Sequence, residues 1–166
     1  MSGNRTRKVD FQEPALTFGA AAGKSGLEFL QSIVAGKIPA PPLHATLGLQ
    51  LVQVGDGVAR CELVPGDHLY GPSNAVQGGL AATLLEVAMS AAATSVLDVA
   101  TACTTANLNV NVTRAITGRI AKVLVEGWVV HRGSRLITLE GRLSDADGRL
   151  LAHGSATCLV VERAGA

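Results

Sequence analysis

The stretch from Ala75 to Leu97, AVQGGLAATLLEVAMSAAATSVL, constrains this chain more than any other. It is an apolar, helix-like run opened by Gly78-Gly79 and carrying one charge, Glu86. Read as a helix, Thr83, Glu86, Ser90 and Thr94 fall at steps of three, four and four and share one narrow polar stripe, while the other sides are mostly Ala, Leu and Val. A helix apolar on nearly all sides needs cover on nearly all sides, and a long antiparallel sheet curled around it supplies that cover. The expected fold class is therefore α+β, one long central helix wrapped by a curved sheet. A carboxylate is costly to bury without a partner, so the Glu86 stripe is expected to face a site rather than bulk water. The glycine pair sits where unpaired helix N–H groups can polarise a carbonyl oxygen.

A chain of 166 residues with 48% hydrophobic content is long enough and apolar enough for one domain with a sizeable core. The formal net charge of +1, from 14 Lys/Arg against 13 Asp/Glu, gives no pull toward nucleic acid or anionic membrane. Aromatics at 3% further weaken a base-stacking platform. Cys61, Cys103 and Cys158 make an odd count with no CxxC pair, so neither a disulfide framework nor a metal is expected, and a reducing cytoplasm is the simplest location. Arg5, Arg7 and Lys8 ahead of Ala15 to Ala22 resemble a signal peptide only superficially, because Asp10 and Glu13 interrupt the pattern. The glycine pair and Glu86 argue against a membrane span for the apolar run.

Along the chain, residues 1 to 24 read as a flexible lead. Ser25 and Glu28 have capping-box spacing, and Leu27, Leu30, Ile33 and Val34 make a short amphipathic helix ended by Gly36 and the prolines at 39, 41 and 42. Residues 1–40 form an N-terminal extension by this reading, and residues 41–166 the main domain. A short helical turn is expected over Pro42 to Leu47. Leu49 to Val54 and Val58 to Val64 flank a Gly55-Asp56-Gly57 turn and predict a hairpin. From Thr104 to Arg114 the pattern alternates strictly, placing Ala106, Leu108, Val110 and Val112 on one face and Thr105, Asn107, Asn109, Asn111 and Thr113 on the other. Three further strands are predicted over residues 119–130, 136–143 and 150–161, the last two joined by a turn at Asp145 to Gly148.

The segment Asn74-Ala75-Val76-Gln77-Gly78-Gly79, with Glu86 nine residues after Gln77, resembles the G-x-V-H-G-G segment of the hotdog-fold acyl-CoA thioesterases of the phenylacetate (PaaI-like) type. The strand from Thr105 to Val112 and the closing run from Gly148 to Ala156 are similar to that family's strands, and the resemblance covers roughly Leu43 to Val161. It implies a hotdog fold and an acyl-CoA substrate, a short- or medium-chain or aryl thioester, without metal or bound cofactor. It implies that the Gly78 N–H polarises the thioester carbonyl, and that Glu86 is nucleophile or general base. Ser90 would hold the attacking water. Thr105 would reach the site from a second subunit of a homodimer, itself part of a tetramer. Gly79 and Asn74 join it as substrate-binding residues. Gln77 stands where many relatives carry His, and Gly71, six residues earlier, stands where they often carry Asn or Gln. Gln77 keeps a place among the catalytic candidates because its amide can still donate a hydrogen bond.

Arg114 and Arg119 are the cations expected to meet the coenzyme phosphates, and Leu80, Leu84, Leu85 and Met89 are expected around the acyl pocket. His68 is a solvated loop histidine by this reading, and Cys103 lacks the paired His of a nucleophile. Two rival functions share the fold: a binding protein that holds an acyl-CoA or fatty acid without turnover, favoured by the changes at Gln77 and Gly71, and a hydratase, disfavoured because the helix lacks His.

Overall fold

A computed structural model describes residues 3–163. Three short helices come first: α1 (Pro14–Gly19), α2 (Gly26–Val34) and α3 (Pro42–Leu47). The strands β1 (Leu49–Gly55) and β2 (Val58–Leu63) follow, then a 3₁₀ turn at Asp67–Leu69, the long helix α4 (Gly78–Ser95), and β3 (Thr101–Val112), β4 (Val123–Arg132), β5 (Leu136–Asp145) and β6 (Leu150–Glu162). All six strands join one antiparallel sheet in the order β1-β2-β4-β5-β6-β3, which leaves β1 and β3 as its edges. The sheet wraps α4 as a hotdog fold does.

Small residues let the helix and sheet come close. Gly127, Gly141 and Gly154 pair in a row across β4, β5 and β6, and a methyl group on Gly127 would lie 2.5 Å from the Ala88 backbone of α4. The core is this same side of α4. Leu84, Leu85, Ala88, Met89, Ala92 and Ala93 are fully buried there, together with Val123, Val125, Ile137, Leu143 and Leu151 of the sheet. Each buried large aliphatic side chain contributes about 1.5–3 kcal/mol, so this seam is the main source of cohesion. The Ser95 hydroxyl closes the far end of α4 by accepting the Gly57 N–H of the β1–β2 turn at 2.9 Å.

Two expectations about local structure change. The strict alternation predicted for β3 fails at Ala106, where the register with β6 shifts between Thr105 and Asn107. This bulge inserts one residue, so Thr105 turns inward with Cys103, Leu108 and Val110 instead of outward with the asparagines. The lead is the second correction. It holds α1, whose Thr17 is buried and donates to the Pro39 carbonyl at 3.0 Å. Arg7 donates to the Thr46 and Ala45 carbonyls at the end of α3, and Arg5 pairs with Asp67. These polar anchors have no hydrophobic period, which is why the pattern reads as a tail. The capping box of α2 is as predicted, with Ser25 and Glu28 each satisfying the other's backbone N–H.

Candidate functional site

Glu86 sits in the middle of α4, half-buried, on the side that faces the edge strand β3. The chain leaves α4 and returns at once as β3, so Thr105 comes alongside: its hydroxyl donates to Glu86 Oε1 at 2.8 Å. The resemblance implied that Thr105 reaches the site from a second subunit. Instead the contact is made within one chain, because the bulge at Ala106 aims this side chain at its own helix.

The rest of the stripe is ordered differently along its length. Thr83 donates back to the Gly79 carbonyl at 3.1 Å and Ser90 to the Val87 carbonyl at 3.4 Å, as helix hydroxyls commonly do. Donation leaves the Ser90 oxygen free to accept. Thr94 lies 3.8 Å from Cys103 Sγ, and Thr105 lies 3.8 Å from Cys158 Sγ. The two thiols are free and diagonal neighbours on β3 and β6. Hydrogen bonding from Cys158 holds Cys103 down at about 7, against burial and the nearby Glu86 charge. A thiol pair beside Glu86 was not legible in the sequence, since only the β3–β6 register brings residues 103 and 158 together.

Gly78 and Gly79 are the first two residues of α4, both exposed, and the Gly78 N–H has no intrahelical carbonyl to meet. Gln77 is the N-cap residue but makes no side-chain cap. Its carboxamide folds back over Gly71, where a methyl group on that glycine would lie 2.2 Å from Oε1. Asn74 closes the preceding turn with φ of 56°, a left-handed conformation that asparagine tolerates better than most residues. The loop after β3 is bound to the same end, Val76 N–H donating to the Ile116 carbonyl at 2.8 Å. Arg114 and Arg119 on that loop are exposed, and its tie to Val76 holds the loop toward the glycine end of the helix. His68 is exposed in the 3₁₀ turn.

The acyl-pocket expectation is corrected. Leu84, Leu85 and Met89 have no exposed surface and belong to the core against the sheet. The cavity on this side of the molecule is instead bordered by Val87, Ser90 and Thr94 of α4 with α2, α3 and Leu51. A helix wheel cannot tell these two sides apart when both are apolar. Among the described residues no cluster of three metal-ligating side chains occurs, and no helix is long and apolar enough to cross a membrane.

Residues 74–152 match the family model of the thioesterase superfamily. The chain is similar in structure to a phenylacetic acid degradation-related protein of Ralstonia eutropha JMP134, with 27% identity over 78% of this chain and 98% of that one and a TM-score of 0.71. A conserved protein of Pseudomonas aeruginosa is 28% identical over 72% of this chain and 93% of its own, with a TM-score of 0.67. A thioesterase family protein of Silicibacter pomeroyi shares the fold, with 22% identity over 81% and 99% and a TM-score of 0.72. No curated protein is a significant match.

Proposed function

We propose that this chain, whose residues 74–152 match the thioesterase superfamily model, hydrolyses acyl-CoA thioesters at a site built from Glu86, Ser90 and Thr105 of one copy and Gly78 of another. The observation that carries this reading is the half-buried Glu86 carboxylate on an otherwise apolar helix, held by Thr105 at 2.8 Å. As general base, Glu86 takes a proton from water as the water oxygen bonds to the thioester carbon. The negative charge then on the carbonyl oxygen meets the Gly78 N–H. Collapse of the intermediate breaks the C–S bond, and the proton on Glu86 returns to the leaving sulfur, giving free acid and thiol. As nucleophile, Glu86 would bond to the thioester carbon itself and expel the thiolate, leaving a mixed anhydride that water cleaves. Single turnover in heavy-oxygen water separates the two, because only the anhydride route puts label into Glu86.

Two copies are invoked on geometric grounds. Gly78 and Glu86 lie about 12 Å apart along α4 at 1.5 Å per residue, and the Gly78 N–H points out of the helix, away from Glu86. A reacting carbonyl needs its oxyanion donor and its attacking atom each about 3 Å away. One chain's pair is too widely spaced. β3 is an edge strand of 12 residues running past Glu86, and an unpaired edge of that length is a ready surface for a second copy. The domain division at residue 40, a tetramer and a cytoplasmic location complete the proposal, with Asn74, Gly79, Arg114 and Arg119 contacting the coenzyme portion and Gln77 orienting the carbonyl.

The deciding experiment is thiol release from a panel of acyl-CoAs by the purified chain and by Glu86→Gln. We expect turnover by the parent and a loss of about a hundredfold or more in the variant, with folding retained. Tight acyl-CoA binding without turnover by the parent protein would leave the binding-protein reading, to which the altered Gln77–Gly71 pair lends itself.

A further inference from the structure

On the flank of α4 that carries Ser90 lies a half-open cavity of about 230 Å³, bordered by α2, α3 and β1 and lined by Phe29, Ile33, His44, Leu51, Val87 and Ser90. Its walls are largely apolar, and of the polar groups on them Ser90 and Thr94 have partners within the fold while His44 is out of keeping. His44 is only 8% exposed, and its Nδ1 is, among the described residues, a buried side-chain atom without a hydrogen-bond partner. Leaving such an atom unpaired is costly, and a Phe or Leu at this position would avoid the cost. Burial holds the His44 pKa below its ordinary value, so the ring is neutral near pH 7.

Ser90 belongs both to this wall and to the stripe of Glu86, one helical turn away, or about 6 Å. A dry cavity of about 150 Å³ is enough to hold benzene, so this one takes a larger group. An acyl group whose carbonyl stands at Glu86 must first cross that turn. An extended chain does so, and a ring bonded directly to the carbonyl does not. The far end of the chain then comes under α3, where His44 waits. A charged terminus would be costly to place among these apolar walls. A hydroxyl is neutral, and because it both donates and accepts it pairs with either tautomer of a neutral imidazole.

We infer that this cavity is the acyl subsite and that it selects an extended, medium-length acyl chain bearing a hydroxyl near its far end, read by the His44 imidazole on its wall. The inference rests on the thioesterase reading of Glu86 given above.

The test compares kcat/KM of the purified chain for ω-hydroxyoctanoyl-CoA and octanoyl-CoA, and repeats the comparison with His44→Phe. The hydroxylated chain is preferred by about tenfold in the parent, in line with one buried hydrogen bond, and the ratio falls to one or below in the variant. Leu43→Trp, at an exposed position on the cavity rim, lowers kcat/KM for octanoyl-CoA more than for acetyl-CoA and does not disturb the core. Calorimetric binding of the free acids, ω-hydroxyoctanoate against octanoate, reads the subsite without turnover. If no thioester is cleaved yet the hydroxy acid binds preferentially and His44→Phe abolishes that preference, the hydrolytic reading fails and the subsite stands. Equal handling of the two chains by the parent, an unchanged ratio in His44→Phe, or equal losses on acetyl and octanoyl substrates in Leu43→Trp overturns the subsite.

Discussion

The carboxamide of Gln77 occupies the space that a side chain at Gly71 would need: a methyl group there would lie 2.2 Å from Oε1. The two departures from the family pattern are therefore one coupled change, with the glycine making room for the amide. Gly71→Ala should swing the exposed Gln77 amide off this position at little cost in stability and lower kcat/KM by about tenfold, the effect of losing one orienting hydrogen bond. Adding Gln77→Ala should then cost little more, because that hydrogen bond is already lost. A double-mutant cycle checks this, and strictly additive effects would show the pair to be independent.

A shared site predicts complementation. Proline is tolerated at the first position of a helix, and Gln77 already has the extended backbone that precedes proline, so Gly78→Pro removes the N–H with little change of fold. Gly78→Pro and Glu86→Gln should each be nearly inactive, and mixing the two under conditions that exchange subunits should restore activity in hybrids that combine one chain's intact Gly78 with the other's intact Glu86. If the site lies within one chain, every hybrid remains inactive, and a thiol-release assay on the mixture distinguishes the two.

Thr105 acts through Glu86 as a positioning residue. A hydrogen bond to a charged group contributes about 1.5–3 kcal/mol, so Thr105→Val should lower kcat by at least about tenfold while leaving KM nearly unchanged. Thr105→Ser, which keeps the hydroxyl, should restore most of the rate. A fall in KM-based affinity with normal kcat in Thr105→Val would assign the residue to substrate binding instead.

His44 predicts an acid-side loss of stability. Its folded pKa is depressed by burial from the ordinary 6.5, so as pH falls below that value the unfolded chain takes up the proton before the folded chain does, and the folded state loses stability. The parent Tm should decline more steeply than that of His44→Phe between about pH 6.5 and 5, the stretch set by the imidazole's ordinary value. Parallel Tm profiles for the two proteins would show that His44 titrates freely in the folded state.

The sequence by itself determined the central helix, its Glu86 stripe, the capping box of α2, the β1–β2 hairpin and the strands that cover the helix, because each is written in local periodicity, turn residues or cap spacing. Tertiary structure decided what periodicity cannot encode. Strict alternation puts Thr105 with the outward asparagines, and one unpaired residue at Ala106 turns it toward Glu86. Leu85 and Val87 look equally apolar on a helix wheel, yet one is sealed against Gly141 and the other borders a cavity, a distinction set by which flank of α4 the curled sheet covers. Thr17 and Arg7 carry no hydrophobic signal, and only the positions of the Pro39 and Thr46 carbonyls make them anchors. The side-chain period of a strand or helix fixes which residues share a face. What that face meets depends on bulges, edges and distant backbone oxygens, which the chain acquires only when the whole sheet closes around α4.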